Sequence, residues 1–179
     1  MSKARKSRAR RFFNIILFVV LVTLVALMLQ RFVFFSSYVD GSSMQPTLNG
    51  GVENVVKDGD KLLVVKLGKI TRGDIIVLRP EGNTYDVVKR VIAVAGDFVE
   101  IKDGVLYLND QPQTESYIKE PMTIPDMEKT LVPAESIFVL GDNRNHSLDS
   151  SEYGPVSLDV VKGKVFAVYS VNNKRLELI

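Results

Sequence analysis

Two rhythms of apolar residues divide the chain. From Phe12 to Leu29 apolar residues run almost unbroken, with only Asn14 and Thr23 as polar interruptions. A helix of that length rises about 27 Å, close to the hydrocarbon thickness of a bilayer. The run predicts a membrane-spanning helix, and Phe32-Val33-Phe34-Phe35 either extends it or lies in the interface. A removable secretory signal would carry a shorter apolar region, about 7–15 residues, ending in an Ala-x-Ala-like pair. No such pair follows this run, so a retained anchor is expected. A buried helix of a soluble protein is the blander reading, and the length and flanking charge disfavour it.

Beyond Val39 the rhythm changes to short β-branched runs separated by turn residues, without a sustained 3.6-residue period. Candidate strands are Lys61–Lys66, Asp74–Arg79, Thr84–Ala95, Phe98–Lys102, Val105–Asn109, Ser136–Leu140 and Lys164–Val171. Asp103-Gly104 suits a two-residue hairpin turn, and Thr71-Arg72-Gly73-Asp74 leads into a strand. The fold class predicted is mostly β: an antiparallel barrel-like or sandwich domain preceded by one N-terminal transmembrane helix. Asp110–Pro133 holds Pro112, Pro121, Pro125 and Pro133 and reads as an excursion from the sheet.

Composition and charge add an orientation. The 179 residues suit one domain with an appendage, and 46% hydrophobic residues argue against disorder. The net charge of +2 hides an asymmetry: seven of the 23 Lys and Arg lie at or before Arg31, whereas the first acid is Asp40. After Arg31 there are 16 basic and 21 acidic residues. Six basic residues before the span, against Arg31 just after it, hold the N-terminus in the cytoplasm. Residues 1–11 are then a cytoplasmic basic tail, 12–35 the anchor and interfacial segment, and 36–179 a domain outside the cytoplasmic membrane. Basicity confined to the tail argues against nucleic acid as a partner. The absence of cysteine excludes thiol chemistry, and a lone His146 excludes a two-histidine metal motif. No metal and no cofactor is expected.

Three segments could carry chemistry. Gly41-Ser42-Ser43-Met44-Gln45-Pro46-Thr47-Leu48 follows the anchor; by composition it is a turn whose serines serve the backbone. In Tyr85–Ala93, strand alternation puts Lys89 on one face with Tyr85, Val87, Val91 and Ala93, and Arg90 on the other. Lys89 is either a snorkelling edge lysine or a buried amine whose pKa is lowered enough to accept a proton from a serine. Gly141-Asp142-Asn143-Arg144-Asn145-His146-Ser147-Leu148-Asp149-Ser150 follows a strand; it is an ordinary polar loop or a source of groups that orient a catalytic lysine.

Taken in order, Ser-Met-x-Pro-Thr after an anchor, Arg-Gly-Asp before a strand, Lys-Arg-Val-Ile followed by Gly-Asp, and Gly-Asp-Asn-Arg with Ser-x-Asp-Ser resemble the type I signal peptidases. The resemblance implies a membrane-bound serine endopeptidase that removes signal peptides after small residues in an Ala-x-Ala-like pattern. It assigns Ser43 as nucleophile and Lys89 as general base. It gives the Ser43 N–H to the oxyanion, sets Ser147 to hold the lysine amine, and makes Asp142, Arg90 and Asp149 supports. Val39, Met44, Leu48 and Val88 match positions that line substrate pockets. The partners implied are preprotein signal peptides and membrane lipid, with proximity to the secretion translocase as a further candidate. Ser43 follows the apolar segment by only a few residues, so the nucleophile belongs near the outer membrane surface, where a signal peptide's cleavage site emerges.

Two positions depart from the family pattern. Gly41 replaces a serine that helps bind the oxyanion in some members. Ser151 stands where many carry an arginine, and Arg90 is expected to partner Asp149 instead. A Ser/His/Asp triad through His146 is a weak competitor. Self-cleaving repressor-type proteases share the Ser/Lys pair but lack this anchor. A catalytically inactive anchored homologue, acting as an accessory in surface-protein assembly, is the alternative function; retention of both Ser43 and Lys89 disfavours it. A plain tethered β domain with a binding role leaves the apolar face around Lys89 unexplained.

Overall fold

The computed structural model describes residues 3–51 and 58–179. Residues 1 and 2 of the predicted basic tail lie outside them. The chain divides into two units, Met1–Phe35 and Ser36–Ile179.

The first unit is helix α1, Lys3–Phe32. A helix satisfies its own backbone polar groups, which hydrocarbon would otherwise leave unpaired. Thr23 follows the same rule, its hydroxyl donating to the Val19 carbonyl at 2.8 Å. None of the apolar stretch Arg10–Leu29 is buried within the molecule. Twenty residues of uncovered apolar surface fit a single-pass membrane anchor.

Among the described residues twelve strands follow the helix, the first of them crossing the unit boundary: β1 (Phe34–Tyr38), β2 (Lys61–Val65), β3 (Ile75–Leu78), β4 (Val87–Val94), β5 (Phe98–Lys102), β6 (Val105–Leu108), β7 (Gln111–Pro112), β8 (Met127–Leu131), β9 (Ser136–Leu140), β10 (Val156–Ser157), β11 (Val161–Ser170) and β12 (Arg175–Leu178). A single turn of helix, α2 (Ser150–Tyr153), lies between β9 and β10. The large sheet has the order β1-β2-β11-β3-β4-β9-β10, with β12 on β11; the small one has the order β7-β6-β5-β8. The domain is largely antiparallel, as the sequence pattern predicts.

Strands β4 and β9 are buried on both faces. On one side Ile92, Ala93, Phe138 and Leu140 pack with Val99, Ile101 and Leu106 of the small sheet. On the other, Val91, Ile137 and Val139 pack with Ile76 and Leu78. Their near-continuous β-branched sequences follow from this two-sided burial. Lys89 lies within β4, paired in register with Ile76.

Several boundaries differ from the pattern-based expectation. β4 starts at Val87 rather than Thr84, because Asp86 is held in the preceding turn by Arg79 at 2.7 Å. β11 begins at Val161, three residues early, running through a register shift before Gly163. The proline-bearing segment Asp110–Pro133 leaves the large sheet but supplies β7 and β8 to the small one. The Asp103-Gly104 hairpin forms as predicted, with both residues at positive φ (50° and 73°).

Asp60 anchors the segment that leads to Ser43. Its carboxylate, 2% exposed, accepts from Asn49 N at 2.8 Å and Val171 N at 3.1 Å, while its carbonyl accepts from Val39 N at 2.9 Å. The end of β11 is thereby tied to both ends of the 39–49 loop. Asp60→Ala should strand two amides at about 1–3 kcal/mol each. The expected outcome is a lowered melting temperature by circular dichroism; an unchanged melt would refute this role for Asp60.

Candidate active site

Residues 42–45 form a turn in which Gln45 N donates to the Ser42 carbonyl at 3.1 Å, putting Ser43 at a corner. The main chain around this turn is held by other main chain. A Cβ on Gly50 would fall 1.9 Å from the Gly41 carbonyl oxygen, so no side chain fits there. On the far side, Asn143 N donates to the Ser43 carbonyl at 2.9 Å and Asn143 Nδ2 to the Ser42 carbonyl at 3.1 Å.

A cleft of about 590 Å³ opens beside the turn, lined by residues 37–45 on one side and Tyr85–Lys89 on the other. Ser43 and Lys89 both line it, and so do Val39, Met44 and Val88. Leu48 does not: it is 1% exposed and faces a separate cavity with Ile75 and Arg90. His146 is exposed and lies outside the cleft.

Lys89 is 3% exposed, and its Nζ hydrogen-bonds Ser147 Oγ at 2.9 Å. Burial pushes its pKa below the ordinary lysine value, and the charges of Asp149 and Asp142 only partly oppose this. Among the described residues no carboxylate forms an ion pair with it. Nearby acids are engaged elsewhere. Asp142, 1% exposed, takes a two-pronged contact from Arg90 (Nε 2.8 Å, Nη2 2.7 Å) and the Thr47 hydroxyl at 2.5 Å. Asp149, equally buried, accepts from Gly141 N at 2.8 Å and from Ser151 N and Oγ at 3.1 and 2.8 Å.

These contacts correct the expected partnership of Arg90 with Asp149. Arg90 is taken by Asp142, while Ser151 serves Asp149 directly, its hydroxyl and amide reaching the carboxylate that caps α2. A short side chain suffices because it lies only two residues along the chain.

The motif residues also explain one another. Arg90 Nη1 donates to the Gly73 carbonyl at 3.1 Å, joining the Arg-Gly-Asp turn to the site. Arg72 pairs with Asp97, and Asp74 with Lys164 at 2.7 Å. Gly141 is required for contact: a Cβ there would lie 2.3 Å from Ser147 Oγ and 2.5 Å from the Ser43 carbonyl oxygen. The segments carrying Ser43 and Ser147 therefore meet across a residue with no side chain.

Sequence reading singles out the segment that holds Arg144 but assigns it no partner, and it misses Glu115 and Tyr117. The two ends of the Arg144–Glu115 ion pair are buried, 0% and 6% exposed, at 2.6 Å. The Arg90 guanidinium lies 4.1 Å from the Tyr117 ring centroid. The only signal in the chain was the clustering of charged and aromatic residues in a proline-bearing excursion, which does not say where it lands.

A family model described as "Signal peptidase, peptidase S26" matches residues 12–170. The chain is 35% identical to signal peptidase I of Bacillus caldolyticus over 178 residues, 92% of each chain. It is 36% identical to thylakoidal processing peptidase 1 of Arabidopsis thaliana over 141 residues, 70% of this chain and 39% of that protein. A crystal structure of a signal peptidase I from Enterococcus faecalis is similar at 33% identity with a TM-score of 0.49, covering 55% of this chain and 97% of that one. A match running from the apolar helix to the end of β11, together with identity of this order over 92% of each chain, means that the chain belongs to the type I signal peptidases of the peptidase S26 family.

Proposed function

We propose that this membrane-bound signal peptidase cleaves preproteins with Ser43 as nucleophile and Lys89 as general base. The observation that carries the reading is a lysine, 3% exposed and without an ion pair among the described residues, sharing one cleft with Ser43. The Ser43 hydroxyl attacks the scissile carbonyl as Lys89 Nζ takes its proton. The Ser43 N–H, unused by any described hydrogen bond, donates to the oxyanion. Collapse of the intermediate expels the new amino terminus of the mature protein, which takes the proton back from Lys89. Lys89 then removes a proton from water, the hydroxide cleaves the Ser43 ester, and the proton returns to Ser43 as the signal peptide leaves.

The substrate enters as an extended strand along residues 37–41, where main-chain hydrogen bonds supply affinity. Val39 and Met44 are buried and sit with Val88 at the cleft wall, leaving shallow room that favours small residues beside the scissile bond. Six basic residues before the apolar run Phe12–Leu29 hold the N-terminus in the cytoplasm, so the catalytic domain works outside, near the secretion translocase.

Ser43→Ala and Lys89→Ala should each lower preprotein cleavage by roughly a thousandfold or more while folding normally, and His146→Gln should stay active. Full activity in either of the first two variants, measured by gel assay in detergent, would discard the dyad. Because the base must be neutral, kcat/KM should rise with pH through the lowered Lys89 pKa and then level off. A rate that falls over that range would exclude Lys89 as base.

The same lowered pKa has a stability consequence. Between the folded-state pKa and the ordinary 10.5, the unfolded chain binds a proton that the folded one does not, so stability rises with pH. Lys89→Met should therefore exceed the wild type in stability most below the folded-state pKa, with the gap closing toward pH 10.5. Denaturant titrations at several pH values check this, and a gap that widens with pH would contradict it.

A further inference from the structure

The proposed chemistry makes no use of the Glu115–Arg144 pair, yet its contacts lead to the reacting groups. Arg144 Nη1 and Nη2 each meet a different Glu115 oxygen at 2.6 Å, and Nε donates to the Gly141 carbonyl at 3.1 Å. Glu115 Oε1 also accepts from the Tyr117 hydroxyl at 2.6 Å. The Tyr117 ring supports the Arg90 guanidinium, which holds Asp142. A fork-shaped pair of this kind, both ends buried, contributes defined geometry more than net stability.

The geometry it defines is that of Gly141, the residue pressed between the Ser43 carbonyl and Ser147 Oγ. Ser147 Oγ in turn hydrogen-bonds Lys89 Nζ. The segment bearing Glu115 is bonded to the same loop along its length. Lys119 N donates to the Asp142 carbonyl at 3.0 Å, Thr123 N to Asn145 Oδ1 at 2.8 Å, and Asn145 Nδ2 to the Pro121 carbonyl at 3.0 Å. These contacts describe a clamp.

We propose that Glu115 is a positioning residue for the Ser43/Lys89 centre: it locks Arg144, and Arg144 locks the Gly141 turn that sets the Ser43 main chain against the Ser147 hydroxyl. The inference rests on the Ser43/Lys89 reading. It gives the proline-bearing excursion a task in catalysis without contact to substrate, since the cleft is lined by residues 37–45, 50, 51, 77 and 85–89.

The test compares full-length wild type, Glu115→Gln, Glu115→Asp, Tyr117→Phe and Ser43→Ala in detergent, by preprotein cleavage and amide hydrogen exchange. Glu115→Gln should lower kcat roughly tenfold to a hundredfold with KM unchanged within about twofold, since displacement affects the reacting groups and spares the binding walls. Glu115→Asp keeps the charge and should recover part of the loss. The Asn143 amide, bonded to the Ser43 carbonyl, should exchange roughly tenfold faster in Glu115→Gln while β4 and β9 amides keep their protection. A folded Glu115→Gln with kcat within about twofold of wild type, a loss confined to KM, or a uniform loss of protection across the sheet would each overturn the proposal. If Glu115→Gln does not fold, Tyr117→Phe, which removes one hydroxyl, is judged by the same signs. Cleavage by Ser43→Ala at the wild-type rate would sink the dyad instead, and Asn143 exchange would still decide whether Glu115 holds the turn.

Discussion

The Asp142–Arg90 ion pair is the contact on which the site depends. Asp142 ends the strand-to-loop passage after β9, Arg90 lies in β4, and the Thr47 hydroxyl reaches the same carboxylate from the turn that follows Ser43. Three segments far apart in sequence are thus fastened at one buried charge. Removing one partner from such a pair leaves an uncompensated buried charge, at a cost of about 3–5 kcal/mol, whereas a packed apolar substitute for both is often harmless to stability. Its retention in a domain with ample apolar core fits a geometric role. The fork of Arg90 accepts only a narrow range of carboxylate orientations, and Asn143, next in sequence, then meets the Ser42 and Ser43 carbonyls.

The same pairing shapes the electrostatics of Lys89. Two arginines of the site, the largely covered Arg90 and the buried Arg144, are each matched by their own acid, Asp142 or Glu115. Asp149 is engaged by amides and a hydroxyl. Lys89 therefore sits among charges already satisfied by one another, with the Ser147 hydroxyl as its hydrogen-bond partner. Burial then lowers its pKa, and among the described residues no ion pair reverses the effect. A lysine that is to act as a general base needs this combination, in which the amine is desolvated but still held in direction.

The two arginines also divide the labour of assembly. Arg90 joins β4 to the 42–48 turn and the Arg-Gly-Asp turn through Asp142 and Gly73. Arg144 joins the 141–147 loop to the excursion before β8 through Glu115. Tyr117 lies between the two systems, bonded to Glu115 and stacked with Arg90. Its hydroxyl is held well above the ordinary tyrosine pKa, chiefly by burial and then by its bond to Glu115, so it remains a donor. Loop segments with little apolar content are thereby made rigid enough to carry a site.

How much of this could be read without coordinates depends on the range of the forces involved. The apolar run before Leu29, the β rhythm after Val39 and the Asp103-Gly104 hairpin are local: hydrophobic periodicity and turn chemistry act over a few residues and are written in order. The motif segments around Ser43, Lys89 and Gly141–Asp149 were legible for the same reason, as short strings of characteristic residue types. The partnerships among them were not. Charge alone cannot choose between Asp142 and Asp149 as the partner of Arg90, and the choice of Asp142 follows from where β4 and β9 lie in the sheet. The resemblance groups Leu48 with Val39, Met44 and Val88 as pocket-lining, whereas in the structure it lines a separate cavity. Glu115 and Tyr117 give no warning, and the motif that holds Arg144 does not name its partner, since an ion pair spanning 29 positions leaves no periodicity. The sequence by itself determined the anchor, the β class and the groups able to do chemistry. Only the tertiary structure decided which charges neutralise one another and which lysine is buried against a serine hydroxyl, because Coulomb and hydrogen-bond partners are chosen by distance in space.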